Sequence, residues 1–311
     1  MNLSKLINVK KAHQVKDASS SDLKKLMESY GLDSSGLSVD QMQTALGEYL
    51  WNQQHPGEEM PEQVAPMLIH DLTAEGKDYI SKNFTSKEWW AQRKINGMRF
   101  ILQINPDGST HMTSRSRSVQ TFRYSKLDGR VLSLRDMKSP FDGKVVLDGE
   151  IIMPKAEIVL PSGVETKSTL QSTVALMHLN ITESLQMQRK YGSLRYCVFD
   201  ILKLNGESTE KLPYSERSEL VVTTVQALKQ ENPGVELEAV PVIKDYNDAW
   251  ELFEEYVDRG EEGIVLKKIT APYEQGKRTR NQLKVKAFVT VDTFIIERKK
   301  ILIEKLKNIL N

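Results

Sequence analysis

The sequence predicts an α+β fold, and three observations carry that expectation. Apolar residues recur at helical spacing over about the first 80 positions. Strand-like runs bounded by turn signals begin near residue 88. Beyond that point strand and helix candidates mix without the steady alternation that builds a doubly wound parallel sheet.

The elements follow in order. Ser20-Ser21-Asp22 is a cap cluster, and Leu23, Leu26, Met27 and Tyr30 recur at helical spacing until Gly31 stops the run. Ser38 and Gln41 stand at capping-box spacing, and Val39, Met42, Leu46, Tyr49 and Leu50 form an apolar stripe behind them. The two helices, joined by residues 31–37, make a helical hairpin. Residues 52–66, rich in proline and acids, read as a linker. Residues 100–104 then form a strand ahead of Asn105-Pro106-Asp107-Gly108, a β-turn with proline second and glycine fourth, and 110–114 is the return strand. Further strands are expected at 145–153, 194–202, 263–268 and 282–288, with helices at 183–190, 215–230 and 247–257. A strand at 289–296 precedes a basic amphipathic helix at 298–310, whose apolar set is Ile301, Leu302, Leu306, Ile309 and Leu310.

Composition narrows the function. The chain has 311 residues, room for one large domain or two smaller ones. Its 43 basic and 42 acidic residues leave a net charge of +1, so a polyanion must be met by local basic patches rather than by the overall field. One cysteine, Cys197, excludes an internal disulfide and fits a reducing compartment. Five scattered histidines without cysteine partners argue against zinc. No apolar stretch approaches the roughly 18 residues of a membrane span, and the apolar part of the N-terminus is short for a secretory signal. A soluble, cytoplasmic, monomeric protein is the expectation.

Five segments carry chemistry. Lys94-Ile95-Asn96-Gly97-Met98-Arg99 places a lysine at the mouth of a glycine turn, where glycine lets a ligand approach closely. An amine nucleophile must lose its proton, and Arg99 with a bound metal cation would depress its pKa. Asp148 and Glu150 lie two apart in a strand and share a face, opposite Val145, Leu147 and Ile151, an arrangement that suits a hard cation such as Mg²⁺. Glu262 opens, and Lys267 closes, an apolar run that reads as a buried strand. Gln282, Lys284 and Lys286 share another strand face, well placed for phosphates. Arg115 ends the return strand and comes near Lys94 across the hairpin. Phe199, ending a further strand in Phe199-Asp200-Ile201-Leu202, could lay a ring against a base. Each segment alone also fits a plainer part: a surface lysine in a turn, an Asp-Gly turn, a strand with charged ends, a solvated strand face, a core phenylalanine. Trp89 and Trp90 read as core, with base stacking as the alternative.

Taken in order, the set resembles the covalent nucleotidyltransferase superfamily of ATP-dependent DNA ligases, RNA ligases and mRNA capping enzymes. Lys94 matches its Lys-x-Asp-Gly-x-Arg motif, Arg115 the Ser-Arg segment, Glu150 the Asp-Gly-Glu motif and Phe199 the Phe-Asp-x-Leu segment. Glu262 with Lys267 matches Glu-Gly-hydrophobic-Lys, and Lys284 with Lys286 matches Lys-x-Lys. Leu212 to Arg217 and Ala65-Pro66-Met67-Leu68 resemble segments that accompany those motifs in DNA ligases. The likeness spans about residues 64–292.

The resemblance implies ATP-dependent sealing of nicked duplex DNA, in repair or replication, through AMP on Lys94. RNA-containing duplexes, an RNA-joining ligase, a capping guanylyltransferase and a non-catalytic nucleic-acid-binding relative are the alternatives. It assigns Glu150 and Glu262 to Mg²⁺ (or Mn²⁺), Arg99 and Arg115 to ribose and phosphates, Lys267, Lys284 and Lys286 to phosphate, and Phe199 to stacking on adenine. Gln92 falls where the family often has an acid reading the adenine amino group, and an amide oxygen can accept the same bond. Two features depart from the family: Asn96 replaces the usual aspartate, and too few residues follow the Lys-x-Lys segment for a C-terminal OB-fold. The domains expected are a helical module over 1–55 that weakly resembles a SAP DNA-binding helix pair, a linker and lead-in over 56–84, the nucleotidyltransferase domain over 85–292 and a basic helix over 293–311. If the source is bacterial or viral, the nucleoid is the expected place of work.

Overall fold

The structure, a computed structural model, describes residues 19–58, 60, 62–118 and 120–287. The strand expected at 289–296 and the helix at 298–310 lie outside them, as do the first 18 residues. The α+β class holds, with mainly antiparallel sheets.

The helix pair forms as the capping signals dictate. Helix α1 (Ser20–Ser29) is capped by Ser19, one residue before the expected cluster, whose Oγ accepts from the Asp22 amide at 3.2 Å. Helix α2 (Val39–Gln54) closes its capping box in both directions between Ser38 and Gln41. Leu23, Leu26, Met27, Met42 and Leu46 meet between the helices, and Val39, expected in that stripe, is exposed instead. Phe122, from outside the pair, completes this small core.

The first large sheet takes strands from far apart in the chain, β1 (Leu68–Asp71), β2 (Trp89–Arg93), β10 (Val242–Ile243), β11 (Gly263–Lys268) and β12 (Arg278–Lys286), in the order β1-β12-β11-β2-β10. Strand β1 lies in the stretch expected to be helical. Four residues carry too little pattern to declare a strand, and its parallel pairing with β12 decides the matter. Helices α3 (Gly76–Asn83) and α7 (Ala249–Asp258) cover the outer face, where Ile80, Leu252 and Phe253 meet Ala91, Ile264, Leu266, Leu283 and Val285.

The second sheet orders β5 (Tyr124–Lys126), β4 (Thr110–Arg117), β3 (Met98–Ile104), β6 (Val145–Ile152), β7 (Arg195–Leu204) and β8 (Glu207–Ser208), with β9 (Leu237–Ala239) parallel to β7. The β3–β4 turn forms where Asn105 to Gly108 predicts it, with Gly108 at φ 83°. Helices α4 (Thr169–His178), α5 (Ile181–Tyr191) and α6 (Tyr214–Glu231) lie on its outer face. Alternation then does the sorting. Phe100, Leu102, Val145, Leu147 and Ile151 enter the outer core, whereas Arg99, Ile101, Asp148 and Glu150 face inward.

Residues 52–66 are not a free linker throughout. Helix α2 runs to Gln54, and Val64 and Met67 are buried between the sheets with Ile101, Val146, Leu202 and Tyr273. The lead-in is thus anchored, its Met67 amide donating to the Tyr273 hydroxyl at 2.9 Å.

Candidate active site

The inner faces of the two sheets meet at a cleft of about 420 Å³. Gln92, Arg93, Lys94 and Ile95 enter from the end of β2, Arg99 from β3, Glu150 from β6, Phe199 from β7, Lys267 from β11 and Gln282 from β12. Residues separated by some 190 positions converge because each sheet turns one face inward.

Lys94 follows β2 and is held at its backbone by a bond from its amide to the Gly263 carbonyl, 2.8 Å. Its Nζ donates to Glu262 Oε2 at 2.5 Å, with the two side chains 18% and 28% exposed. Glu262 immediately precedes β11, so the lysine and the carboxylate sit at matching ends of two paired strands. Asn96 is exposed in the loop. Gly97 is needed for a reason other than ligand approach: a Cβ there would stand 2.4 Å from the Ile151 carbonyl, so the loop lies directly on β6.

Asp148 and Glu150 part company. Asp148 is fully buried and accepts from Arg99 at 2.9 and 2.6 Å and from the Tyr273 hydroxyl at 2.6 Å. It anchors Arg99 and is not available as a metal ligand, contrary to the pairing expected from its spacing. Two of the Arg99 nitrogens are thereby committed, while its guanidinium lies 5.4 Å from the Phe199 ring centre. Glu150 lines the cleft, and its Oε2 is buried with no hydrogen-bond partner among the described residues. Burial pushes its pKa up to about 7, against the nearby charges of Lys94 and Arg99.

Lys267 is almost fully buried, donating to the Phe199 carbonyl at 2.8 Å and lying 3.4 Å from Asp200. Burial lowers its pKa to about 8 even with Asp200 beside it. Asp200 in turn is gripped by the buried Arg217, at 2.7 and 3.2 Å. Burial pushes that carboxyl up, but Arg217 and Lys267 overcome it and hold it below the usual range. The Phe199-Asp200 segment does not end its strand. Strand β7 runs on to Leu204 and turns into β8 through Asn205 and Gly206.

Gln92 is 3% exposed, and its Nε2 donates to the Val240 carbonyl at 3.0 Å. That bond fixes the amide's orientation and leaves Oε1, without a partner among the described residues, on the lining of the cleft.

Four expected residues stand apart from the cleft lining, of which Glu262 still reaches it through its contact with Lys94. Lys284 pairs with Asp71 at 3.1 Å. Against the upward push of burial, hydrogen bonds from Thr73 and the Lys284 ammonium bring Asp71 down to about 2. Lys286 is half-buried near Thr73, to which its amide donates. Arg115 is exposed, and the register that sets Ser114 opposite Phe100 carries it toward Arg99 rather than Lys94. Sequence reasoning gave no role to Tyr273 or to the Asp200–Arg217 grip, although Arg217 closes a segment it had singled out.

No group of three or more His, Cys, Asp or Glu side chains able to hold a metal occurs among the described residues. Glu150, with its unpartnered oxygen, and Glu262 beside Lys94 nevertheless fit Mg²⁺, which takes one or two carboxylates and completes its shell with water and phosphate oxygens.

A sequence profile described as ATP dependent DNA ligase domain matches residues 66–286. The chain is 27% identical over 222 residues to the SPbeta prophage-derived DNA ligase-like protein LigB of Bacillus subtilis, covering 71% of this chain and 67% of that one. It is 30% identical to a probable DNA ligase of Dictyoglomus thermophilum over 62% of its own length, and spans only 30% of that relative. Among solved structures, Pmar-Lig_Pre shares the fold at 19% identity, with a TM-score of 0.51 over 82% of this chain and 52% of that one.

Proposed function

The chain belongs to the ATP-dependent DNA ligase domain family, and on that premise we propose that it seals nicks in duplex DNA by way of AMP carried on Lys94. The observation that carries this reading is the Lys94–Glu262 contact at the mouth of a cleft whose far wall offers Gln92, Phe199 and Lys267.

The chemistry is three displacements at phosphorus. The Lys94 nitrogen attacks the α-phosphorus of ATP, forming a P–N bond as pyrophosphate leaves. The 5′-phosphate of the nick then takes the AMP from Lys94, and the 3′-hydroxyl attacks that phosphate and expels AMP. Positioning and charge neutralisation supply most of the catalysis in such steps.

Gln92 accepts the adenine amino group at Oε1. Guanine presents a carbonyl oxygen at that place, so the same acceptor favours ATP over GTP. Phe199 stacks on the base, Lys267 meets the α-phosphate, and Arg99, pinned by Asp148, presents its remaining edge to the ribose. Lys284, Lys286 and Arg115 contribute from outside the cleft lining, toward phosphates that extend beyond it. Glu262 holds the Lys94 amino group in place and is positioned to accept its proton. Mg²⁺ (or Mn²⁺) held by Glu150 and Glu262 would supply positive charge that favours the neutral amine and steadies the phosphoryl oxygens.

No described helix is long and apolar enough to cross a membrane. We assign the protein to the cytoplasm or nucleoid, acting as a monomer on nicks left by repair or replication. Incubation with α-labelled ATP or GTP and Mg²⁺ tests the reading: label from ATP should be retained on the protein and absent after Lys94→Ala. Label retained by that variant would overturn the nucleophile. Nicked DNA, RNA and hybrid duplexes compared side by side rank the substrates.

A further inference from the structure

A second cleft, of about 820 Å³ including its open mouth, lies where α2 meets the β4–β5 hairpin. Trp51, His111, Thr113, Arg123 and Lys126 are among its lining residues, and none of the described lining residues is an acid. Thr113 is 4% exposed, and its Oγ1 has no hydrogen-bond partner among the described residues; the same holds for the shielded Nη1 of Arg123. Burial alone lowers the pKa of Arg123, with no carboxylate offsetting it. Asp128 pairs with two of the lining residues, His111 at 2.7 Å and Lys126 at 3.1 Å, and Asp40 binds Arg117 at 3.2 Å, so among the described lining residues Arg123 is the cation without a carboxylate.

Buried donors without acceptors destabilise a fold, so their convergence on one open cleft calls for an acceptor from outside. Two unpartnered donors, one of them on an arginine that no carboxylate offsets, select an oxyanion. A stacked base is the poorer fit, because the Trp51 ring is already stacked on His55 at 3.8 Å and lies under the Arg123 guanidinium at 4.7 Å. We infer that this cleft binds a phosphodiester of a nucleic-acid strand, a contact that rests on the ligase reading above.

The sheet geometry favours a strand over a free ion. Thr113 stands opposite Ile101 and His111 opposite Gln103, so all four share a face with Arg99. The second cleft therefore opens on the same face of the sheet as the first. A strand seated at Thr113 and followed along β4 passes Arg115 on its way to Arg99, contacting phosphates rather than base edges. On this account the helix pair contributes to nucleic-acid binding by walling the junction, not as an independent reading module.

Thr113→Val and Lys126→Gln, alone and combined, provide the test in the full chain, with a fluorescein-labelled nicked DNA duplex as probe. The hydroxyl removed from Thr113 bonds nothing, so that variant should melt at or above the wild-type temperature while binding the duplex more weakly. The double variant should lose affinity on the order of tenfold, and its plot of log affinity against log salt should be shallower by about 1. Formation of labelled protein from ATP should be unchanged. Inorganic phosphate should compete with the duplex in the wild type and less in the double variant. Unchanged duplex affinity and salt slope would overturn the inference, as would phosphate competition with no change in duplex binding. A wild type that binds the duplex in this way yet takes no label would refute the ligase reading and leave the cleft assignment standing.

Discussion

Two ion pairs in the candidate active site differ by one property, their access to water. Lys94 and Glu262 touch at 2.5 Å at the cleft mouth, each roughly a fifth to a quarter exposed. Arg217, Asp200 and Lys267 form a cluster whose side chains are 1%, 0% and 3% exposed. Solvent makes the first pair easy to open and of small worth to the fold. Burial makes the second hard to break, because either partner left alone keeps an uncompensated charge. The difference separates a group that must move during a reaction from a frame that must not.

The largest expected effect is functional. Lys94→Ala should abolish labelling by α-labelled ATP, and Lys94→Arg should do the same, since a guanidinium does not yield its proton. Each should shift the folding free energy by less than loss of the buried Arg217, because the Lys94–Glu262 side chains, 18% and 28% exposed, can still reach water. A urea titration decides this, and a large loss of stability in either variant would erase the contrast between the two pairs. Arg217→Met should invert the pattern. It leaves Asp200 with only the Lys267 contact at 3.4 Å and should lower stability by up to about 3–5 kcal/mol, read as a fall in the urea midpoint. A midpoint within error of wild type would show the buried cluster to be dispensable.

A pH series sharpens the contrast. Lys267 is brought down to about 8 by burial, from an ordinary value of 10.5. Between those values the unfolded chain holds a proton that the folded chain has released, so stability rises with pH across that window. Below about 8 the folded state keeps the buried ammonium and gains nothing from this source. The wild type should therefore become more stable relative to Lys267→Met as pH climbs from 8 toward 10. A difference that is flat or of opposite sign would mean that Lys267 is better solvated than its burial indicates.

The same contrast explains what could be read in advance. The strands expected over 100–104, 145–153 and 263–268 form at 98–104, 145–152 and 263–268, because short apolar runs bounded by turn signals declare a strand that enters a core. The residues that line the active-site cleft, Gln92, Lys94, Arg99, Glu150, Phe199 and Lys267, fall within motifs that keep their order along the chain. Contacts made across the sheets leave no such trace. Strand β1 owes its state to β12, and α4 is too rich in serine and threonine for helical periodicity to stand out. The spacing of Asp148 and Glu150 gives their shared face correctly, yet it cannot tell that Arg99 and Tyr273 already hold one of them. Tyr273 lies 125 positions from Asp148, and no local pattern joins the two.

That tyrosine is where the two kinds of interaction meet, and it gives the smallest expected effect. Its hydroxyl donates to Asp148 and accepts from the Met67 amide, tying the lead-in to the carboxylate that steadies Arg99. Tyr273→Phe removes both bonds and keeps the ring among Val64, Met67 and Ile101. Stability should fall by about 1–3 kcal/mol, since the Met67 amide loses its partner while Asp148 keeps Arg99. If Tyr273 belongs to the frame alone, labelling from ATP should be unaffected at saturating ATP. If it also positions Arg99, half-maximal labelling should need more ATP while the saturating rate holds. A fall in the saturating rate with the ATP requirement unchanged would place Tyr273 with the parts that move.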